Sequence, residues 1–255
     1  MSGVLSTRSV NKRFAGIVAL EAVDIDVESG ERVGLIGPNG AGKTTFFNCI
    51  LGVLRTNGGT IDFDGADVSN MPVHERARRG IGRTFQRIEL FSDSTVRDHL
   101  VIADRVSSGG RFWSDLMRFG RPRPDEISRS DAMLELLGLS DMADEPVERL
   151  SLGQGRLVEV GRALMTRPKM LLLDEPSSGL DRRETALLAD TLRLVQQDRG
   201  FAILLVEHDI ELVSSFTTRS YLLDFGRMIV SGSTAQVMAS KEMRSAYLGD
   251  GVTSK

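Results

Sequence analysis

What this chain lacks narrows it first. One cysteine, Cys49, stands among 255 residues, so no disulfide can form within the chain, a usage that fits a reducing compartment. Cys49 falls in the apolar run FFNCILGVL, which reads as a packing position rather than a reactive thiol. No stretch approaches the roughly 18 apolar residues that a membrane-spanning helix needs. The opening residues, MSGVLSTRSVNKRF, lack the apolar centre of a secretory signal. Any membrane association is therefore expected to run through a partner. A dominant charge is missing too: 32 basic and 35 acidic side chains leave a net charge of −3, which gives no argument for nucleic-acid binding. Internal repeats and low-complexity tracts are absent.

What is present suits one sizeable domain, or a core with a small subdomain. In EAVDIDVESG, Val23, Ile25 and Val27 alternate with Asp24, Asp26 and Glu28, the pattern of a strand with one wet face. ERVGLIG is a more continuously apolar strand, followed by a glycine-rich loop and the helical pattern TTFFNCILGVL. VHERARRG reads as a polar helix capped by Gly80. From about Phe91 to Leu150 the spacing turns helical, with Leu134, Leu137 and Leu139 as core positions, and a Gly-, Pro- and Arg-rich insert lies between two helices. Buried strands return in PKMLLLDEP and GFAILLVEHD, each next to helical segments. This alternation predicts a mostly parallel sheet with helices on both faces and a helical insertion in the middle.

GPNGAGKT, Gly37 to Thr44, matches G-x-x-x-x-G-K-[ST] without a gap, after a buried strand and before a helix. Glycines let successive amides converge on phosphate oxygens, and the helix N-terminus favours an anion. Lys43 can reach the β- and γ-phosphates, and the Thr44 hydroxyl can ligate Mg²⁺. The competing reading is a chance glycine-rich turn. In KMLLLDEP, four apolar residues carry Asp174 to the end of a buried strand, where ligands of doubly wound sheets collect. Asp174 there suits Mg²⁺, and Glu175 suits the orientation of an attacking water. Taken alone, the pair also fits the cap of a strand exit. LLVEHD brings His208 to the same edge, within reach of a γ-phosphate, although a lone histidine is more often structural or solvated. His74 and His99 carry no assignment. Ser151 to Gln154 fit an S-x-x-Q capping box ahead of a helix with Leu157, Val160 and Leu164 on one stripe.

With these residues in place, the sequence resembles the ATP-binding cassette (ABC) ATPases over nearly its whole length. The phosphate loop, LSLGQ, LLLDEP, SSGLD and VEHD occur in the family order. The resemblance implies an α/β P-loop NTPase: a RecA-like core, with a mostly parallel sheet and an N-terminal antiparallel β part, and an inserted α-helical subdomain. The expected division is core at 1–90 and 160–235, helical subdomain at 91–159 and a C-terminal helical tail at 236–255. It further implies ATP and Mg²⁺, hydrolysed between two cassettes packed head to tail. Asn39, Gly40, Ala41, Gly42, Lys43, Thr44 and Thr45 would hold the phosphates, with Phe14 stacked on adenine; an isolated Phe before a turn would otherwise be core. Thr44, Gln86 and Asp174 would serve the metal, and Glu175, His208, Lys43 and Gln86 the chemistry. Ser151, Gly153, Gln154 and Asp181 match residues that face the nucleotide of the opposing cassette. Leu152 departs from the family pattern, standing where its signature carries a first glycine.

KRFAGIVALEAV, RTFQRIELFSDSTVRDHL, the Arg- and Trp-containing insert and the ending YLLDFGRMIVSGSTAQVMASKEMRSAYLG are similar to the ATPase subunits of branched-chain amino-acid importers. That resemblance implies a second ABC ATPase subunit, identical or not, multi-spanning permease subunits and a separate solute-binding protein. It places the chain peripherally on the cytoplasmic face of the cell membrane. The rival readings are the ATPase of a lipopolysaccharide-type exporter and a soluble, non-transport ABC ATPase. The basic cluster RFGRPR, Arg118 to Arg123, is read as a solvated loop, with contact to lipid headgroups or the membrane subunit as the alternative.

Overall fold

The structure, a computed structural model, describes residues 3–84, 94–107 and 122–248. Gln86, Trp113, Arg118 and Arg121 lie outside these residues.

The chain opens with two long antiparallel strands, β1 (Leu5–Phe14) and β2 (Ile17–Val27). Leu20, Val23, Ile25 and Val27 of β2 are fully buried, the alternation expected of a strand with one wet face. With β4 (Gly58–Phe63) and β5 (Ala66–Asp67) they form a four-stranded sheet in the order β2-β1-β4-β5.

A second sheet contains β3 (Arg32–Ile36), β6 (Ile81–Arg83), β7 (Met170–Asp174), β8 (Ala202–Val206), β9 (Arg219–Asp224) and β10 (Arg227–Ser233). Its order is β10-β9-β3-β8-β7-β6, parallel throughout except for the antiparallel edge pair β9–β10. All five residues of β7 and of β8 are buried, because this sheet is covered on both faces. Leu171 and Leu173 join one apolar cluster with the helices, whereas Met170 and Leu172 join another with the four-stranded sheet. One strand thus feeds two cores through its two-residue period.

Helix α1 (Lys43–Leu51) follows β3 and buries Phe46, Phe47 and Ile50 completely, worth roughly 1.5–3 kcal/mol each. Its C-terminal end is held by a residue from α2 (Val73–Arg79). Arg76 is almost entirely buried, and its guanidinium donates to the carbonyls of Cys49, Ile50, Met71 and Ser69 at 2.7–3.0 Å. The α2 segment, polar in sequence, therefore contributes one arginine inward to satisfy carbonyls that a helix end leaves without partners. Gly80 closes α2 with φ of 110°, as expected.

Helices α3 (Val96–Ser107), α4 (Pro124–Leu136) and α5 (Leu152–Met165) form the helical region. Leu134, Leu137 and Leu139 are in its core as predicted. Helix α5 runs without a break through residues 159 and 160, so the expected border between subdomain and core falls inside a helix. α6 (Arg182–Arg199) and α7 (Ile210–Phe216) cover the parallel sheet, and α8 (Thr234–Ala239) and α9 (Lys241–Leu248) end the described chain.

Candidate nucleotide site

Three neighbouring strands, β3, β8 and β7, run parallel and end together: Leu35 pairs with Val206, and Val206 pairs with Asp174. The residues that follow each strand therefore meet at one edge. After β3 comes the loop Gly37–Gly42, after β7 comes Glu175, and after β8 come Glu207 and His208.

The loop is shaped by three glycines with positive φ. Gly37, Gly40 and Gly42 have φ of 151°, 83° and 105°. A Cβ on Gly37 would collide with the Leu223 carbonyl, and one on Gly42 would lie 2.7 Å from the Ala19 carbonyl, whereas Gly40 faces open space. Two glycines thus let the loop press against its own scaffold, and the third leaves its outer rim clear. Asn39, Gly40 and Thr44 are exposed, while Ala41 is buried. Thr45 is half-buried beneath them.

Lys43 is 6% exposed, and its Nζ donates to the Gly37 and Pro38 carbonyls at 2.6 and 3.0 Å. Burial lowers its pKa, and the charges of Glu175 and Asp174 act against that shift. Asp174 is pushed the other way: burial raises its carboxyl pKa, Glu175 and Glu207 add to the rise, and Arg83 and Lys43 oppose it. Glu175 has a left-handed backbone, φ 47°, with its amide donating to the Val206 carbonyl at 2.8 Å. For a non-glycine residue this conformation is costly and marks functional corners of folds. His208 is more exposed, with Nδ1 4.0 Å from Glu175 Oε1 and 3.7 Å from Glu207 Oε2.

Phe14 ends β1 with 42% of its surface exposed, and the Lys12 ammonium lies 5.0 Å from its ring centroid. The alternative of a core phenylalanine is thereby removed. From the far end of the chain, Tyr247 of α9 accepts a hydrogen bond from the Gly37 amide at 3.1 Å.

Ser151 and Gln154 form the predicted capping box at the start of α5: Gln154 N donates to Ser151 Oγ at 3.2 Å, and Ser151 N donates to Gln154 Oε1 at 2.9 Å. Leu157, Val160 and Leu164 are buried on one stripe. Asp181 makes a second box at α6 with Glu184. The two helix starts pack together. A Cβ on Gly153 would lie 2.9 Å from Glu184 Oε1, and one on Gly179 would lie 2.8 Å from Leu152 Cδ2. Leu152, the departure from the family signature, touches the loop that carries Gly179 and leaves 43% of its surface exposed.

Sequence reasoning overlooked three participants at this edge. Glu207 and Ser177 sit inside motifs whose neighbours drew the assignment, and the one available signal was a carboxylate interrupting the apolar run LLVEHD. Tyr247 gave no local signal, because its partner is 210 residues away.

Known proteins share the sequence and the fold of this chain. The family model described as ABC transporter matches residues 20–178. The chain is 34% identical over 250 residues to the high-affinity branched-chain amino acid transport ATP-binding protein BraF of Pseudomonas aeruginosa, spanning 97% of this chain and 98% of the relative. LivG of Escherichia coli K12, a protein of the same description, matches to the same extent. An ATP-binding cassette of an ABC transporter, solved in its ADP conformation, superposes with a TM-score of 0.87 at 30% identity, covering 98% of this chain and all of the other. A nucleotide-free cassette superposes with a TM-score of 0.83, also at 30% identity, over 97% of this chain and 99% of the other. By its fold, its motifs and these relatives, the chain belongs to the ABC transporter family as an ATP-binding cassette.

Proposed function

We propose that the chain hydrolyses ATP to drive an importer of branched-chain amino acids or a related small polar solute. The observation that carries the chemistry is the shared edge of β3, β8 and β7, which gathers the phosphate loop with Lys43, then Glu175, then His208. The cargo rests on the named transport roles of BraF and LivG.

In this reading Phe14 stacks on adenine, and the amides of Asn39 to Thr45 receive the phosphates at the start of α1. Lys43 exchanges its two carbonyl partners for β- and γ-phosphate oxygens. Glu175 takes the proton of the attacking water as the water oxygen bonds to the γ-phosphorus and the bond to the β–γ bridging oxygen breaks. His208 donates to the γ-phosphoryl oxygens as charge builds there.

The donor set suits Mg²⁺. Asp174 is a carboxylate whose pKa is raised first by burial and then by Glu175 and Glu207, a cost that a divalent cation would relieve. The Thr44 hydroxyl is exposed at the loop rim, and Gln86 follows β6. These three would hold the ion, which supplies charge neutralisation at the β- and γ-phosphates.

Ser151, Gly153, Gln154 and Asp181 serve the nucleotide of a second cassette. What supports this is that Ser151 and Asp181 are exposed at adjacent helix starts, whose first amides lack partners within the helix. The unit is therefore two cassettes on multi-spanning permease subunits, with a separate solute-binding protein, on the cytoplasmic membrane face. Among the described residues no helix is long and apolar enough to cross a membrane, so the permease supplies the pore.

The test of the chemistry is Glu175→Gln. Turnover should fall at least about a hundredfold, with ATP-dependent dimers accumulating on size exclusion; parental turnover would remove Glu175 from its role. The test of the cargo is uptake of labelled leucine, isoleucine and valine in cells deleted for this gene. Unchanged uptake of all three would assign another solute.

A further inference from the structure

Glu207 is fully buried, and the hydrolytic steps above do not use it. Its carboxylate is held by four donors. Oε1 accepts from the Ser177 amide at 2.9 Å and the Ser177 hydroxyl at 2.6 Å. Oε2 accepts from the His208 amide at 3.0 Å and the Asp209 amide at 3.3 Å. Ser177 lies two residues beyond Glu175, and His208 is the next residue after Glu207. One side chain therefore fastens the loop of the base to the loop of the histidine. The Glu175 amide, bonded to the Val206 carbonyl, fastens the same two loops one residue deeper.

Glu175 needs such bracing. Its φ of 47° is a conformation that persists only where the surroundings over-determine it. The chemistry of the brace is restrictive as well. Three of the four partners are backbone amides, which can only donate, and they reach both oxygens, so the brace calls for an acceptor at each oxygen, as a carboxylate supplies. A glutamine of the same size would turn its NH₂ group toward at least one backbone amide donor in either orientation.

We infer that Glu207 is a positioning residue for ATP hydrolysis, its carboxylate locking the Glu175 and His208 loops into one arrangement. This rests on the catalytic reading of Glu175 and His208. Glu207 acts through the two loops and need not touch the nucleotide. Ser177, through its 2.6 Å hydroxyl bond, shares the role.

The experiment compares the purified parent chain with Glu207→Gln, Ser177→Ala, Glu175→Gln and the double variant Glu175→Gln/Glu207→Gln, measuring kcat, KM for ATP and nucleotide affinity. Glu207→Gln should lower kcat by about a hundredfold, the cost of misplacing a reacting group by roughly an ångström, with ATP affinity within about threefold of the parent. Ser177→Ala should lower kcat by about tenfold and keeps the Ser177 amide bond to Glu207, so as the milder change it decides the matter if Glu207→Gln does not fold. The double variant should be no slower than Glu175→Gln, because residues acting as one unit are not additive. A general structural role predicts instead that the two losses multiply. The inference is overturned by a Glu207→Gln kcat within threefold of the parent, by affinity falling in step with kcat, or by multiplied losses. If Glu175→Gln itself turns over at the parental rate, the catalytic reading fails instead, and the two failures are told apart.

Discussion

In the helical region, each inward carboxylate faces an arginine. Glu126 of α4 receives two bonds from Arg105 of α3, at 2.9 and 2.7 Å, and Asp104 of α3 receives two from Arg129 of α4, at 2.9 and 2.7 Å. The hydrogen bond from Arg105 is the main reason the Glu126 pKa is lowered to about 2. At the ends of β7 and β8 the balance differs, because Arg83 and Lys43 oppose the rise of the Asp174 pKa without cancelling it. Asp174, Glu175 and Glu207 crowd together, and burial with that crowding raises the Asp174 carboxyl pKa. Glu126, Asp104, Asp174 and Glu207 are all buried, whereas Glu175 is only half-buried. One region arranges its carboxylates for stability of the empty chain, and the other stores an unfavourable charge that a cationic ligand can relieve. Perturbation of this second kind is the sort that gathers at functional sites.

The contrast breaks most visibly at Lys43. Lys43→Ala removes the buried cation from among the carboxylates and should weaken ATP binding by between about tenfold and a hundredfold, the range for a charge-assisted hydrogen bond. Equilibrium binding of a fluorescent ATP analogue measures it, and unchanged affinity would place the phosphates elsewhere.

Asp174→Asn should separate the two uses of charge. Folding raises the Asp174 pKa above its unfolded value, so the ionised group opposes folding at neutral pH, and that cost fades as pH falls through the raised value toward the unfolded one. The variant should therefore melt higher than the parent without nucleotide at pH 7, yet lose Mg²⁺-dependent turnover. A lower melting temperature would show that the crowding carries no cost.

Ser151→Ala tests the helical side. Loss of the cap should cost about 1 kcal/mol of stability and leave ATP affinity at the chain's own loop unchanged. In mixed dimers it should slow hydrolysis at the opposing site. Equal loss at both sites would argue against an exchange of half-sites between cassettes.

The mildest effect is expected from acid. The folded pKa of Glu126 is lowered to about 2 from an ordinary value of 4.5, so its contribution is complete above about 4.5 and is lost as pH falls toward 2. Glu126→Gln should flatten the acid limb of the stability curve in that window and leave ATP affinity untouched. An acid limb unchanged from the parent would assign it to other groups.

Sequence by itself determined whatever depends on neighbours in the chain. The phosphate loop announced itself because its glycines, lysine and threonine must follow one another to wrap an anion. The capping box at Ser151 closes over three residues, and the apolar runs of β7 and β8 record that both faces of those strands are covered. Tertiary structure alone decided the rest, because the partners lie far apart along the chain. Arg76 reaches a carbonyl 27 residues away to seal the end of α1. Glu207 reaches Ser177 across 30 residues, and the Gly37 amide reaches Tyr247 across 210. A spacing of that length leaves no periodic trace in sequence. The bond between Glu207 and Ser177 exists only because the parallel strands β7 and β8 pack in register and bring their ends together at one edge.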